Sequence, residues 1–291
     1  MKILVALDGF DAAFNALRTA CHIAQKTYSQ ITAFHVNKGQ EYTAEETGWV
    51  SLTEKISAEL ETLGHKVINK AYEIGKSFGI PIEGIISYGI PANELLKYTD
   101  AHGIIKLIAM GHSSKGKGTQ EFVESTTRII AAGSRAPVFV TSSEIDIRKI
   151  LIAVDNSEVS GRVASFGGNF AKLLGAELSI ISVVPDAEAM ISEYRQIAEV
   201  PNIERHIKES EKDLNEIAER AISNATVTLN SIGIDAATMI KKGNPSEEII
   251  AEAGYYDLLI VGAKQKPAHE KLSRIANKLF NLQTTNTIFV Q

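Results

Sequence analysis

The amino-acid sequence predicts an α/β protein built as two tandem doubly wound domains, each a five-stranded parallel sheet flanked by helices. Three observations carry that prediction. The strand KILVALD at 2–8 returns as KILIAVD at 149–155, ending in the same aspartate. Later landmarks return in the same order: Gly89-Ile90-Pro91 through Glu94 matches Gly243-Asn244-Pro245 through Glu248, and the strand ending in Gly111 matches the one ending in Gly262. These pairs lie 147, 154 and 151 residues apart, a period of domain length and far beyond the roughly 20–50 residues of a solenoid repeat. Thirdly, strands such as Ile3 to Leu7 and Leu178 to Val184 are largely apolar throughout, as parallel strands covered on both faces are. Apolar strands alternating with helical stretches give βαβ units with right-handed crossovers.

The first half reads as strand 2–8, helix 12–26, strand 30–37, helix 49–78, strand 80–87, helix 92–101, strand 106–110, helix 121–132 and strand 137–141. In the first helix Ala13, Leu17, Ala20, Cys21 and Ala24 share one face, which makes the single cysteine a core thiol rather than a redox group. Pro81 falls inside the third strand, and a proline there points to a sheet edge. The polar stretch from Thr141 to Arg148 is the boundary, giving domains 1–143 and 147–291. The second half repeats the pattern, with strands near 149–155, 177–184, 235–241, 257–261 and 287–290. Val163, Phe166, Gly167, Phe170 and Leu174 form a core-facing stripe after Asp155. Asn244-Pro245 with Glu247 marks a helix start: a cap, a proline at the first position and an early acid. In the long helix of 203–232, Ile203, Ile207, Leu214, Ile217 and Ala221 oppose a face of Glu and Lys.

Composition narrows the function classes. The chain has 291 residues, 44% hydrophobic and 22% charged, with a net charge of −5. Nucleic acid and anionic membrane demand clustered cations, so neither is expected as a partner. No apolar run approaches the roughly 20 residues of a membrane span, and the first residues are already a core strand, so the expected location is the cytoplasm.

In an open α/β sheet, ligands bind beyond the carboxyl ends of strands where the strand order reverses. Asp8 and Asp155 stand at the ends of first strands, Gly111 and Gly262 at the ends of fourth strands. An aspartate there accepts hydrogen bonds from a ribose, and the following loop and helix N-terminus offer N–H groups to phosphate. The competing reading is that Asp8 caps the next helix. Gly111 to Thr119 (GHSSKGKGT) falls one residue short of a P-loop, with Gly118 where the magnesium-binding hydroxyl belongs. It follows a fourth strand, and its repeat partner Gly262 to Pro267 lacks the spacing, so a basic, glycine-rich anion-contacting loop with His112 and Lys115 is the expectation. The seven histidines lack metal-ligand spacing; His112 lies in the candidate site and the others read as surface or interface residues. No catalytic metal or nucleophile motif is expected.

Each half resembles a universal stress protein domain, on the strand-Asp segments Asp8-Gly9-Phe10 and Asp155-Asn156-Ser157, the Gly-x-Pro-x-x-Glu helix starts, the strand-Gly loops and the short last strands Pro137 to Val140 and Thr287 to Val290. The resemblance spans essentially the whole chain and implies a sheet ordered 3-2-1-4-5. It also implies AMP or ATP as ligand. Family members that bind nucleotide carry G-x2-G-x9-G-[ST] after strand four. Here Gly111 fits, Ser114 stands at the second glycine, Glu124 at the third, and Ser125 keeps the hydroxyl. In the second half Gly262 fits, Gln265 replaces the second glycine, and Ser273-Arg274 falls where Gly-[ST] belongs. By the same resemblance Val36 and Val183 supply the backbone contact to adenine, and Ala6 and Ala153 stand two before the aspartates.

Two function classes follow: an adenine-nucleotide-sensing module best retained in the first domain, or a non-nucleotide stress protein that acts by dimerisation and partner binding with degenerate pockets. Neither is an enzyme. The fifth strands are short, apolar and free of lysine, so they are unprotected edges. The expectation is antiparallel pairing of the two fifth strands within the chain, broken by proline at Phe139 or Phe289, and a homodimer through other surfaces such as the long helices.

Overall fold

Residues 2–7, Lys-Ile-Leu-Val-Ala-Leu, form the first strand of a parallel sheet because apolar side chains leave both its faces ready for cover; Ile3, Leu4 and Val5 are fully buried. The computed structural model describes residues 1–37, 50–112, 120–186, 203–263, 272–282 and 285–291. The chain divides into two units, Met1–Asp146 and Ile147–Gln291.

In the first unit the order is β1 (Lys2–Leu7), α1 (Asp11–Thr27), β2 (Gln30–Asn37), α2 (Val50–Phe78), β3 (Ile82–Tyr88), α3 (Pro91–Ala101), β4 (Ile105–Gly111), α4 (Gln120–Gly133) and β5 (Val138–Thr141). The strands are parallel and ordered β3-β2-β1-β4-β5. The order reverses between β1 and β4. Helices α1 and α2 pack against one another, as do α3 and α4, so two helices cover each face. Pro81 stands just before β3 rather than inside it, where its missing N–H costs no ladder bond; β3 is nonetheless the outermost strand.

The second unit repeats the plan: β6 (Lys149–Ala153), α5 (Glu158–Leu174), β7 (Glu177–Val184), α6 (Ile203–Ser231), β8 (Ala237–Lys242), α7 (Pro245–Ala253), β9 (Leu258–Gly262), α8 (Arg274–Leu282) and β10 (Thr287–Val290). Its order, β8-β7-β6-β9-β10, is again 3-2-1-4-5. In α6 the buried stripe is Ile207, Ala218, Ala221, Ala225 and Leu229. Leu214 and Ile217, read as core-facing, are only half-buried, because small alanines bring this helix close and carry the packing.

The core of α1 follows its sequence stripe, and Cys21 is fully buried within it. Burial pushes the Cys21 thiol up to about 12, since the thiolate has no water to solvate it. The folded protein is therefore expected to react with a colorimetric disulfide reagent at least about a hundredfold more slowly than the denatured chain. Equal rates in the two states would show that Cys21 is reachable.

At the amino end of the first sheet, Lys2 Nζ donates to Glu83 at 2.9 Å and Thr32 Oγ1 donates to the same oxygen at 2.9 Å. The hydrogen bond from Lys2 and then that from Thr32 hold the Glu83 carboxyl below its usual range. Thr32, fully buried, thereby satisfies its hydroxyl.

Candidate functional site

In each unit the strand carrying the aspartate lies beside the strand ending in the glycine: β1 pairs with β4 and β6 with β9. Asp8 and Gly111 thus stand at adjoining carboxyl ends, where the strand order reverses, and so do Asp155 and Gly262.

Asp8 is not a helix cap. Its Oδ1 accepts the Phe10 N–H at 3.0 Å, a local turn that shapes the strand-to-helix corner, and α1 begins only at Asp11. The exposed carboxylate lies at the rim. Asp155 Oδ1 accepts the Ser157 N–H at 2.9 Å, the Ser157 hydroxyl, and the Ser160 hydroxyl at 2.7 Å. No serine stands at the matching positions of the first unit, which are Phe10 and Ala13.

Gly111 abuts the start of α1. A Cβ there would collide with the backbone of Ala12 and Ala13. Close approach of β4 to the first turn of α1 therefore requires glycine, whatever the loop beyond it does. Gly262 is under milder constraint, because a Cβ would meet only the Val159 side chain, at 2.7 Å. His112 is buried, with its N–H donating to Thr141 at 2.8 Å.

Val36 and Val183 take equivalent places. The carbonyls of Asn37 and Val184 accept the N–H groups of Gly89 and Gly243, each at 3.0 Å. By ladder alternation the preceding valines turn their peptide groups toward β1 and β6, where pairing has ended at Leu7↔His35 and Ala153↔Ile181. In that register the Val36 N–H closes the last rung onto the Leu7 carbonyl, which leaves the Val36 C=O beyond the pairing, on the crevice side. Ala6 lies inside β1, between Phe34 and Met110. Ser114 and Lys115 lie outside the described residues, as do the side chains of Glu124 and Ser125 and the loop holding Gln265.

The Gly-x-Pro-x-x-Glu segments start α3 and α7. Gly89 has φ +137° and Gly243 φ +147°, values that favour glycine, and the glutamate folds back over each. Glu94 accepts the Ser87 hydroxyl at 2.9 Å, and Asn244 caps α7 by accepting the Ser246 N–H at 3.1 Å. The segment is a helix start that positions the rim beside β2 and β7.

In the second unit the start of α8 is capped from within the chain. The Ser273 N–H donates to Ala263 at 2.8 Å, and its Oγ accepts the Ala276 N–H at 3.1 Å, capping α8. Leu272 beside it is buried. The N-terminus of α8 is thereby tied to the end of β9.

His35 corrects the reading of the scattered histidines as surface groups. It is 6% exposed; Nδ1 donates to the Leu7 carbonyl at 2.7 Å and Nε2 meets the Asn37 carboxamide at 3.1 Å. Gly64 of α2 makes the room, since a Cβ there would stand 2.9 Å from Asn37 Oδ1. The pair fixes the carbonyl immediately before Asp8. Its signal in the sequence is position alone, on the parity of Ile31 and Ala33 in an apolar strand. Among the described residues no cluster of His, Cys, Asp or Glu could hold a metal ion, and no helix is long and apolar enough to cross a membrane.

Comparison with known proteins gives the same division. The universal stress protein family matches residues 1–142 and again 146–290. Universal stress protein YxiE of Bacillus subtilis (strain 168) is 28% identical over 144 residues, 48% of this chain and 97% of that protein. Universal stress protein MJ0531 of Methanocaldococcus jannaschii is 23% identical over 141 residues, 48% of this chain and 80% of that protein. Among solved structures, a universal stress protein from Archaeoglobus fulgidus DSM 4304 shares the fold with a TM-score of 0.69 at 16% identity, covering 100% of this chain and 98% of that one. With the strand order and the paired aspartate and glycine ends in both halves, these matches show that the chain belongs to the universal stress protein family, as a tandem of two such domains.

Proposed function

We propose that this protein is a non-enzymatic, cytoplasmic stress-response module that senses an adenine nucleotide through the crevice of its first domain. The observation that carries this reading is the meeting of Asp8, Gly111 and the Val36 carbonyl, just past the last rung of the β1–β2 ladder, at the reversal of strand order. An exposed carboxylate can accept ribose hydroxyls, while the Val36 carbonyl can accept a hydrogen bond from the amino edge of the base. Glu124 in the phosphate segment opposes a triphosphate, so AMP or adenosine is favoured over ATP.

A specific observation favours the other class for the second domain. Asp155 accepts from the Ser157 N–H and hydroxyl and from the Ser160 hydroxyl in the first turn of α5, and Ser273 ties the start of α8 to the end of β9. In this reading the second domain contributes scaffold and partner surface rather than a nucleotide site. In the same reading the two domains pair through their fifth strands within the chain, and a homodimer uses other surfaces such as the long helices.

Titration calorimetry with AMP and ATP tests the reading. AMP is expected to bind more tightly than ATP, with one site per chain. Asp8→Ala should weaken AMP by about a hundredfold or more, the scale of losing charge-assisted hydrogen bonds, whereas Asp155→Ala should leave it unchanged. Tight ATP with weak AMP, or no binding of AMP or adenosine at all, overturns it.

A further inference from the structure

The segment leaving β5 is fastened along the outside of α1 by a ladder that no property of the crevice requires. Asn15 Nδ2 donates to the Ser142 carbonyl at 3.0 Å. Glu144 lies 3.7 Å from Arg18 Nε and 2.9 Å from His22 Nε2. The Ile145 N–H donates to Thr19 Oγ1 at 3.1 Å, and Lys26 Nζ donates to Asp146 at 2.6 Å. Residues 15, 18, 19, 22 and 26 form one helical stripe, met at its start by Ser142, in its middle by Glu144 and Ile145, and at its end by Asp146. The lengths agree: eleven helical steps rise roughly 16 Å and four extended steps roughly 13 Å. Before the segment, Thr141 Oγ1 closes a turn by accepting the Ser143 N–H at 3.1 Å.

The duplication supplies an internal control. The stripe of α5 at the same places is Arg162, Ser165, Phe166, Asn169 and Leu173, and Arg162 still holds the residue after the last strand, donating to the Gln291 carbonyl at 2.6 Å. Beyond that point the cations are gone, and Leu173 is 51% exposed. The positive stripe is thus particular to the helix that the linker crosses.

We propose that residues 142–146 are a charge-fastened strap: docked on α1 they belong to the first domain, and released they become a free five-residue linker between the domains. Arg18 and Lys26 supply the charge attraction for Glu144 and Asp146, and His22 adds a hydrogen bond to Glu144. The groups are about one-third exposed, so salt screens them and the strap loosens as ionic strength rises.

The test uses the full chain and a glutamate-specific protease, following the cut after Glu144 by mass spectrometry. Charge is removed on the helix side, as Arg18→Gln with Lys26→Gln, so the protease site stays intact. In about 0.1 M salt the native chain should resist cutting, and the double variant should be cut about tenfold faster. The native chain in about 1 M salt should approach the variant. Amide exchange at Ile145 should rise in parallel while that of β1 stays slow, which separates strap release from unfolding. Cutting after Glu144 at one rate in all three conditions, or Ile145 exchange unmoved by the substitutions, overturns the proposal.

Discussion

Gly111→Ala is expected to destabilise the first domain by about 3 kcal/mol or more, the upper end of overpacking, with Gly262→Ala costing about 1 kcal/mol. The difference lies in what each new methyl meets. At Gly111 it meets the backbone of Ala12 and Ala13, which can move only if the start of α1 leaves β4. At Gly262 it meets Val159 Cγ1, at the end of a side chain that can rotate. Urea unfolding of the two variants, read by circular dichroism, gives the comparison. Because Gly111 also borders the crevice, the variant will lose ligand binding as well; stability is therefore the diagnostic measurement. Equal costs at the two glycines would remove the asymmetry argued for the two crevices.

Proline substitution in β5 is expected to separate two kinds of backbone group. The carbonyls of Pro137 and Thr141 accept the N–H groups of Ile108 and His112, at 3.0 and 2.8 Å. By alternation Phe139 also bonds to β4, while Val138 and Val140 turn their N–H and C=O groups the other way. Phe139→Pro thus breaks the sheet of its own domain, rather than only an edge contact as the sequence suggested. Relative to Phe139→Ala it should cost a further 1–3 kcal/mol or so, the cost of a buried group left without its partner. Val138→Pro relative to Val138→Ala spares that ladder and tests the edge alone. In β10 the register differs. Asn286 and Val290 accept from Leu259 and Ala263, each bond near 2.9 Å, so Phe289 has the outward parity and Ile288 is the counterpart of Phe139. Equilibrium unfolding with sedimentation checks both sets: a large proline penalty at Val138 shows that its edge group is bonded, and none at Phe139 refutes the assigned register.

That reversal shows where sequence reading stops. PVFV and TIFV look alike, and aligning them pairs Phe139 with Phe289. A one-residue shift of register puts the first ring on the α1 face and stacks the second on Phe280, 4.6 Å away. Apolar content cannot encode register when both faces of a strand are buried. His35 escaped notice for a related reason: its partners, Leu7 and Gly64, are 28 and 29 residues away in the chain.

The sequence by itself determined the duplication, the α/β class, nearly every strand and helix, the buried cysteine and the placing of Asp8, Asp155, Gly111 and Gly262 at strand ends. These are local or repeated signals: apolar runs, helical spacing, a proline after a glycine, one aspartate twice. Only the tertiary structure decided that Asp8 forms a turn rather than a cap, that Gly111 is forced by the backbone of α1, that Ser273 caps α8 and ties it to the end of β9, and that residues 142–146 lie on α1. Each depends on which distant groups the packed chain brings within hydrogen-bond or van der Waals reach, and no pattern along a single strand or helix carries that information.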